Sequence, residues 1–467
     1  MRPVTIDGYL EAFRREGRIV VVGASLAGLR AAEALRAEGF AGTLTLVGDE
    51  PHEPYDRPPL SKQVLLGKVP ADHTRLPRVR PIDAQWRLGS AATGLDLAGK
   101  RVRLADGDVL DYDRLLITTG VRARPWPHEL EAELDGVFVL RTQDDAVQLH
   151  HRLAGGPRRV LVIGAGFTGS EIASACRERD VPVTVAERGA APLVGALGEV
   201  VGEVAAELQR AHGVDLRCGV QVTGLTGDSA GRVRTAHFSD GTAVDCDVVV
   251  VALGATRNTE WLADSGLGAG PRGIACDAGC RAFDVRGIVT DDVFVAGDVA
   301  RSPHPLFGYQ FLSLEHWGNA VAQAEVAAHN MVSASAERRP HLWMPSFWSA
   351  QFGVNIKSVG VPPMADQIMV TQGSLAEQRF TAAYGFQGRV IAAVTFDQAK
   401  WLDFYERQIE QVAPFPPEFT TVDRRPEGRQ PVPAGFPDPS QPSHGPTVTL
   451  SGYSPTDRRV AFTPRRA

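Results

Sequence analysis

The sequence predicts an α/β protein with two Rossmann-type units and a smaller α+β domain on the C-terminal side. Three observations carry that prediction. The run Gly23-Ala-Ser-Leu-Ala-Gly28 follows the apolar residues 19–22. A second run, Gly164-Ala-Gly-Phe-Thr-Gly169, follows the apolar residues 160–163 about 140 positions later. Glycines between a strand and a helix are the fingerprint of a dinucleotide-binding turn. From Pro345 onward the pattern changes to short alternating apolar runs separated by turns, which signals an antiparallel sheet.

Taken in order, residues 1–17 read as a short amphipathic lead-in. Residues 19–22 form a short buried strand, 26–38 a helix rich in Ala and Leu, and 44–47 the next strand. The proline-rich stretch 51–62 excludes a helix or a central strand. Asp106-Gly107, between apolar runs at 102–104 and 109–110, signals a hairpin. A strand at 115–117 leads into Thr118-Thr119-Gly120. After the second fingerprint come a helix at 169–179, a strand at 183–186, a long helix near 199–210, a hairpin signal at Ser239-Asp240-Gly241-Thr242, and a strand at 248–252 before Gly254. Another apolar strand, 293–296, ends at Gly297-Asp298, and a helix runs from about 315 to 331. Apolar runs at 347–361, 367–371, 380–384 and 390–396 make the antiparallel sheet, with 400–412 as its covering helix. Residues 416–467 are Pro-rich and poor in periodicity, so they read as an extended tail with one strand near 446–451.

Composition narrows the function classes. The chain has 467 residues, 43% of them apolar, enough for substantial cores. A formal charge of −6 gives no support to nucleic-acid binding. No apolar stretch approaches a membrane span, and no signal peptide is expected. Five scattered cysteines, an odd number, fit a reduced compartment, so the expected location is cytoplasmic.

Each fingerprint has a candidate ribose partner. An acidic residue about 20 positions past the last glycine holds ribose hydroxyls in such sites. Asp49 stands 21 positions after Gly28, with Glu50 beside it as the neighbouring candidate. Ser25 replaces the middle glycine, and the same letters also occur in ordinary strand–helix turns. In the second site Gly164, Gly166 and Gly169 are all present, and Glu187 follows 18 positions after Gly169. A carboxylate there accepts bonds from ribose hydroxyls and repels a 2′-phosphate, which favours NADH over NADPH; Arg188 next to it pulls the other way. Two pyrophosphate sites in one chain point to two nucleotides exchanging electrons, with a flavin and a nicotinamide as the leading pair.

Several further runs form a pattern: Val47-Gly48-Asp49-Glu50, Pro54-Tyr55-Asp56-Arg57-Pro58-Pro59-Leu60-Ser61-Lys62, Thr119-Gly120, Ala296-Gly297-Asp298, Glu315-His316-Trp317-Gly318-Asn319-Ala320 and Phe347-Trp348-Ser349-Ala350-Gln351-Phe352-Gly353. With the two fingerprints, they resemble the ferredoxin reductases that serve bacterial oxygenases and cytochromes P450, of the putidaredoxin, rhodocoxin and biphenyl-dioxygenase types. The resemblance covers about residues 18–412. It implies a glutathione-reductase-like fold in which a discontinuous FAD-binding domain (18–140 and 255–335) hosts an NAD-binding domain (141–254). A C-terminal domain (336–415) and the tail (416–467) follow.

The resemblance also assigns roles. It implies that Gly23, Ala27 and Gly28 present backbone to the FAD pyrophosphate, Asp49 binds the adenosine ribose, Arg57 adds positive charge near the phosphates, and Ala92 meets adenine through its backbone. Asp298 accepts bonds from the ribityl chain or a water near the pyrophosphate, and Trp317 lies beside the isoalloxazine. Gly120 and Gly254 end strands where the chain crosses between domains. Lys62 stands near the reactive edge of the flavin, where a cation stabilises the electron-rich reduced ring. Glu171, on the first turn after Gly169, stands at the nicotinamide end and pairs with Lys62. Without the resemblance both would read as ordinary surface and helix-start charges.

The implied activity is that of an NADH-dependent flavoprotein reductase, an NAD(P)H:ferredoxin oxidoreductase. A hydride passes from NADH to FAD, and single electrons then pass to an iron–sulfur ferredoxin. The alternative is an NADH oxidase or quinone-type reductase with a small-molecule acceptor. An acidic ferredoxin calls for a basic docking face; the helix after Trp317 lacks one, and Arg257, Arg301, Lys357 and Lys400 are the candidates to supply it. A disulfide reductase needs a cysteine pair near the flavin, yet residues 51–68 contain none. Cys276 and Cys280 read as structural thiols, and no metal site is expected. A different class is a redox-dependent scaffold, with Arg424-Arg425, Arg458-Arg459 and Arg465-Arg466 in the tail as an interaction arm. No nucleic acid or membrane partner is expected, and the chain reads as a monomer or homodimer.

Overall fold

The computed structural model describes residues 6–418 and short strands at 430–431, 447–451 and 459–463. The lead-in is a helix, Ile6–Glu16, that seats Leu10 and Phe13 in the first core. The first sheet has six strands in the order Arg281–Phe283, Val289–Val295, Arg114–Ile117, Arg18–Val22, Thr43–Gly48 and Gln85–Leu88. All pairings are parallel except the first.

A strand buried on both faces reads as an unbroken apolar run, and its alternate side chains feed two cores. Ile19 and Val21 enter one core, Val20 and Val22 the other. The first core is closed by the helices Leu26–Ala37 and Trp317–Val332, which pack side by side. Ala27, Ala31 and Ala32 face Ala320, Ala324, Ala327 and Ala328, small residues at helical spacing that permit close approach. The second helix begins at Trp317 rather than near 315. His316 is extended, and its Nδ1 accepts the Gly318 N–H at 3.1 Å as the N-cap. The expected hairpin at Asp106-Gly107 joins Arg101–Leu104 to Val109–Asp111.

The second sheet has five parallel strands in the order Asp215–Cys218, Val183–Glu187, Val160–Ile163, Val248–Val251 and Val137–Phe138. The last comes from before residue 141. Two pieces of chain connect the sheets, and they run together: Val121–Ala123 pairs antiparallel with Ala255–Arg257, with Ala123 opposite Ala255. Gly120 (φ 61°) and Gly254 (φ 84°) take left-handed backbone at the two entrances to this ribbon.

The C-terminal sheet is antiparallel, in the order Ser346–Gln351, Val354–Gly360, Arg389–Phe396, Arg379–Phe386, Gln367–Ser374 and Gln430–Pro431. The run 347–361, expected as one segment, is two strands. It turns back at Phe352 (φ 51°) and Gly353 (φ 78°), both left-handed, as a tight hairpin requires. The helix Leu402–Glu410 covers this sheet, and Tyr384 donates to the Leu197 carbonyl at 2.7 Å, tying it to the second unit. The proline-rich stretch is not free of helix: Pro58–Ser61 makes one 3₁₀ turn, which tolerates proline because first-turn N–H groups need no partner. Most of the 416–467 tail lies outside the described residues. Within it the strand Thr447–Ser451 pairs with Arg459–Thr463. Among the described residues no helix is long and apolar enough to cross a membrane.

Candidate active site

The two glycine turns are built alike. A Cβ on Gly23 (φ 121°) would lie 2.2 Å from the Thr118 carbonyl oxygen, and one on Gly28 would lie 2.0 Å from the Gly23 oxygen. At the second turn a Cβ on Gly164 would lie 2.5 Å from the Ala252 oxygen, and one on Gly169 would lie 2.0 Å from the Gly164 oxygen. Backbone blocks any side chain at these four positions. Gly166 differs, since a Cβ there would meet nothing within 4 Å. The protein's own atoms leave open space at that point, as a cradle for an outside group would. Helices begin at both turns, at Leu26 and Phe167, with no side-chain cap and no acidic residue in the first turn. Their leading N–H groups are therefore available to an anion. Glu171, expected on the first turn, sits on the second because the helix starts two residues before Gly169.

Beside the first turn a cavity of about 580 Å³ is lined by Gly23, Asp49, Glu50, Ala92, Arg57 and Trp261, among others. It adjoins a second cavity of about 330 Å³ through shared walls that include Ser25, Tyr55, Arg57, Thr118 and Arg141. The second cavity carries Ala27, Lys62, Gly120, Glu171, Asp298 and Trp317. Together they form an elongated trough along the C-terminal edge of the first sheet, where ligands of open α/β sheets bind. The backbone cradle, the free helix start and the trough fit a dinucleotide with a flat ring system at its far end.

At the near end, Asp49 Oδ1 accepts the Glu50 N–H at 3.0 Å. Glu50 is engaged elsewhere: its Oε1 lies 2.6 Å from Arg57 Nη2, and Tyr55 donates its hydroxyl to Oε2. Arg57 also donates to the Tyr55 oxygen at 2.9 Å and to the Arg141 carbonyl at 2.8 Å. Burial works against the charge on Arg57, but Tyr55 and Glu50 outweigh it and raise its pKa. Arg57 is thus a fixed, partly neutralised cation in the wall shared by both cavities. Asp298 is met by Arg141 at 3.0 Å.

At the far end, Trp317 donates its indole N–H to Asp56 at 3.0 Å. Burial lifts Asp56 above the usual carboxylate range, partly offset by that bond and by Lys62. Lys62 Nζ stands 2.7 Å from Glu171 Oε2, so two residues 109 positions apart meet in a mostly buried pair. His316 lies between Trp343, stacked at 5.0 Å, and Trp348, edge-on at 4.5 Å. Burial alone pushes it down to about 4, so it is neutral near pH 7.

The three glycines of the second turn lie outside both cavities. Glu187 accepts the Ala165 N–H at 2.8 Å and the Gly189 N–H at 2.7 Å, closing a ring beside Gly164–Gly169. Phe167 and Thr168 within this turn, and Glu171 just after it, line the second cavity and bring the turn to the trough. Gly254 marks the ribbon between the units. Arg257, a candidate docking cation, is paired with Glu315 at 2.5 Å. Cys276 and Cys280 are fully buried free thiols whose pKa burial raises, a structural environment. No cluster of three or more His, Cys, Asp or Glu side chains is placed to hold a metal among the described residues. Residues that sequence reasoning did not single out are Arg141, Thr118, Ser61, Ser349 and Trp348. Thr118, Ser61, Trp348 and Ser349 stand inside the quoted runs, but Arg141 meets Asp298 across 157 positions, a pairing with no local signature.

Residues 17–324 match the pyridine nucleotide-disulphide oxidoreductase family, and residues 346–425 match the reductase C-terminal family. The chain is 36% identical to a probable ferredoxin reductase of Castellaniella defragrans, over 81% of this chain and 90% of that one. It is also 36% identical to the ferredoxin–NAD(+) reductase component of the anthranilate 1,2-dioxygenase system of Burkholderia cepacia, covering 80% and 89%. Among solved structures, the putidaredoxin reductase–putidaredoxin complex aligns with a TM-score of 0.78 at 30% identity, over 86% of this chain and 94% of that one. The ferredoxin reductase of the CYP199A2 system from Rhodopseudomonas palustris aligns at 0.75 and 29%, covering 86% and 98%.

Proposed function

The chain belongs to the pyridine nucleotide-disulphide oxidoreductase family, among its ferredoxin reductases, and on that premise we propose that it carries electrons from NADH through FAD to an iron–sulfur ferredoxin serving an oxygenase or cytochrome P450. The observation that carries this reading is the single trough that joins a glycine cradle at one end to the Lys62–Glu171 pair and Trp317 at the other.

Bound in that trough, FAD would supply the change from paired to single electrons that a nicotinamide does not make readily. The protein's own residues bind, orient and screen. Gly23, Ala27, Gly28 and the following helix start take the FAD pyrophosphate, Asp49 accepts ribose hydroxyls, and Ala92 flanks the adenine. Arg57 and the Arg141–Asp298 pair line the middle of the trough. Trp317, fixed through Asp56, orients the ring end, and Lys62 keeps positive charge near it. Gly164, Gly166 and Gly169 take the pyrophosphate of the nicotinamide nucleotide. The Glu187 carboxylate, held by two backbone N–H groups, meets its ribose and favours NADH over NADPH. Five unpaired cysteines suit a cytoplasmic enzyme.

The test is spectroscopic. Purified protein should be yellow, and anaerobic NADH should bleach it. Stopped-flow mixing of the reduced protein with ferredoxins and with quinones then identifies the acceptor. Colourless protein that takes up no flavin ends the proposal, and rapid turnover with quinone alone ends its ferredoxin half.

A further inference from the structure

Glu171 is held by more than its lysine. Its Oε2 accepts the Ser61 hydroxyl at 2.5 Å as well as the Lys62 ammonium, and its Oε1 accepts the Ser349 hydroxyl at 2.6 Å. Glu171 is 8% exposed, and both serines are buried. Ser349 in turn accepts a bond from Gln351 Nε2 at 3.3 Å. These contacts belong to a seam between the helix Phe167–Glu178 and the C-terminal hairpin. Above Glu171, the Phe167 and Phe347 rings lie 4.6 Å apart; below it, the Phe352 N–H donates to Ser174 Oγ at 2.7 Å. Residues 167, 171 and 174 share one helix face, and 347 and 349 share one strand face. A strand from the C-terminal domain therefore grips the helix that follows the second glycine turn, and its polar contact is with the carboxylate.

We propose that Ser349, with Ser61, is a positioning residue whose hydroxyl clamps the Glu171 carboxylate onto Lys62, so that the nicotinamide is seated only after the clamp opens. The inference rests on the reading that Glu171 stands at the nicotinamide end. Its physical content is a population shift. If the open carboxylate is the binding-competent state, the apparent affinity for nucleotide falls by the fraction of time it is open. A hydrogen bond to a buried charge closes that state by roughly tenfold. Ser349, which lies outside the cavity lining, would then tune nucleotide affinity through Glu171 alone.

The test uses oxidised, flavin-loaded protein titrated with NAD+ and followed by fluorescence quenching. Ser349→Ala is expected to tighten NAD+ binding roughly tenfold, with flavin content unchanged and a modest drop in Tm from the lost bond to a buried charge, while Ser349→Thr, which keeps the hydroxyl, stays at the parent value. In a Glu171→Ala background Ser349→Ala should have no effect, the signature of action through the carboxylate. An equal effect in both backgrounds, no effect in either, or weaker binding in the single variant overturns the clamp. If Ser349→Ala does not fold, Ser61→Ala runs the same cycle from the other oxygen. A parent protein that binds no NAD+ sinks the functional reading itself, and the clamp with it, so the two failures are told apart.

Discussion

Replacing Glu187 by alanine separates two tasks that one carboxylate performs. The first is local. The Ala165 N–H, on a fully buried residue, loses its acceptor, at a cost of about 1–3 kcal/mol for an unpaired buried donor. The Gly189 N–H is half-buried and recovers water, so it adds little. The second task is discrimination. A carboxylate about 4 Å from a 2′-phosphate repels it by about 1 kcal/mol in bulk water and about 4 kcal/mol near a protein surface. Glu187→Ala should therefore lower the ratio of kcat/KM for NADH over NADPH by at least about fivefold. Steady-state reduction of ferricyanide with each nucleotide measures the ratio, and a urea midpoint measures the stability loss. Glu187→Gln keeps one acceptor and drops the charge, so it should lose discrimination with a smaller stability penalty. An unchanged nucleotide ratio in Glu187→Ala, alongside the expected loss of stability, would refute the ribose assignment and leave the residue as a brace for the turn.

Gly28→Ala places a Cβ 2.0 Å from the Gly23 oxygen, and backbone cannot yield cheaply there; the purified variant should lose most of its bound flavin, read from the flavin-to-protein absorbance ratio, and full flavin content would contradict the cradle. Burial depresses His316 and His341 to about 4 from 6.5, so their neutral forms support the fold above pH 6.5, and that support drains as pH falls toward about 4. His341→Gln should thus flatten the decline of the urea midpoint across that window, and a slope equal to the parent's would count against the assignment. Cys276 and Cys280 should resist iodoacetamide in the folded protein and react after unfolding, as mass spectrometry would register; rapid labelling of native protein would mean they are not structural thiols.

The parts of the molecule legible in sequence are those whose physics is local. Residues 19–22 and 160–163 betray a strand buried on both faces because four apolar residues in a row leave no face for water. The four obligatory glycines are legible because backbone crowds them from a few residues away or from the next strand. Local turns are harder: the bend at Phe352-Gly353 was hidden because its first residue is aromatic and sits in left-handed backbone that favours glycine or asparagine. The start of the last long helix shifted by two residues because a histidine, not a customary capping residue, supplies the cap. Long-range partners left no trace. Ser349 meets Glu171 across 178 positions, and Arg141 meets Asp298 across 157. The Lys62–Glu171 pairing was anticipated through family resemblance, since nothing in either local segment names the other.

Ala123 and Ala255 sit directly opposite each other in the ribbon, so the polypeptide leaves the first sheet and returns to it at nearly one point. Every strand of that sheet lies before the departure or after the return. A graft made at this pair would exchange the whole intervening cassette while asking the scaffold to bridge a gap of only one strand spacing, about 5 Å. If the second turn seats the nicotinamide nucleotide as proposed, the choice of electron donor is portable in this sense, and a chimera carrying a cassette with a phosphate-accepting second turn is the direct route to a reductase driven by NADPH.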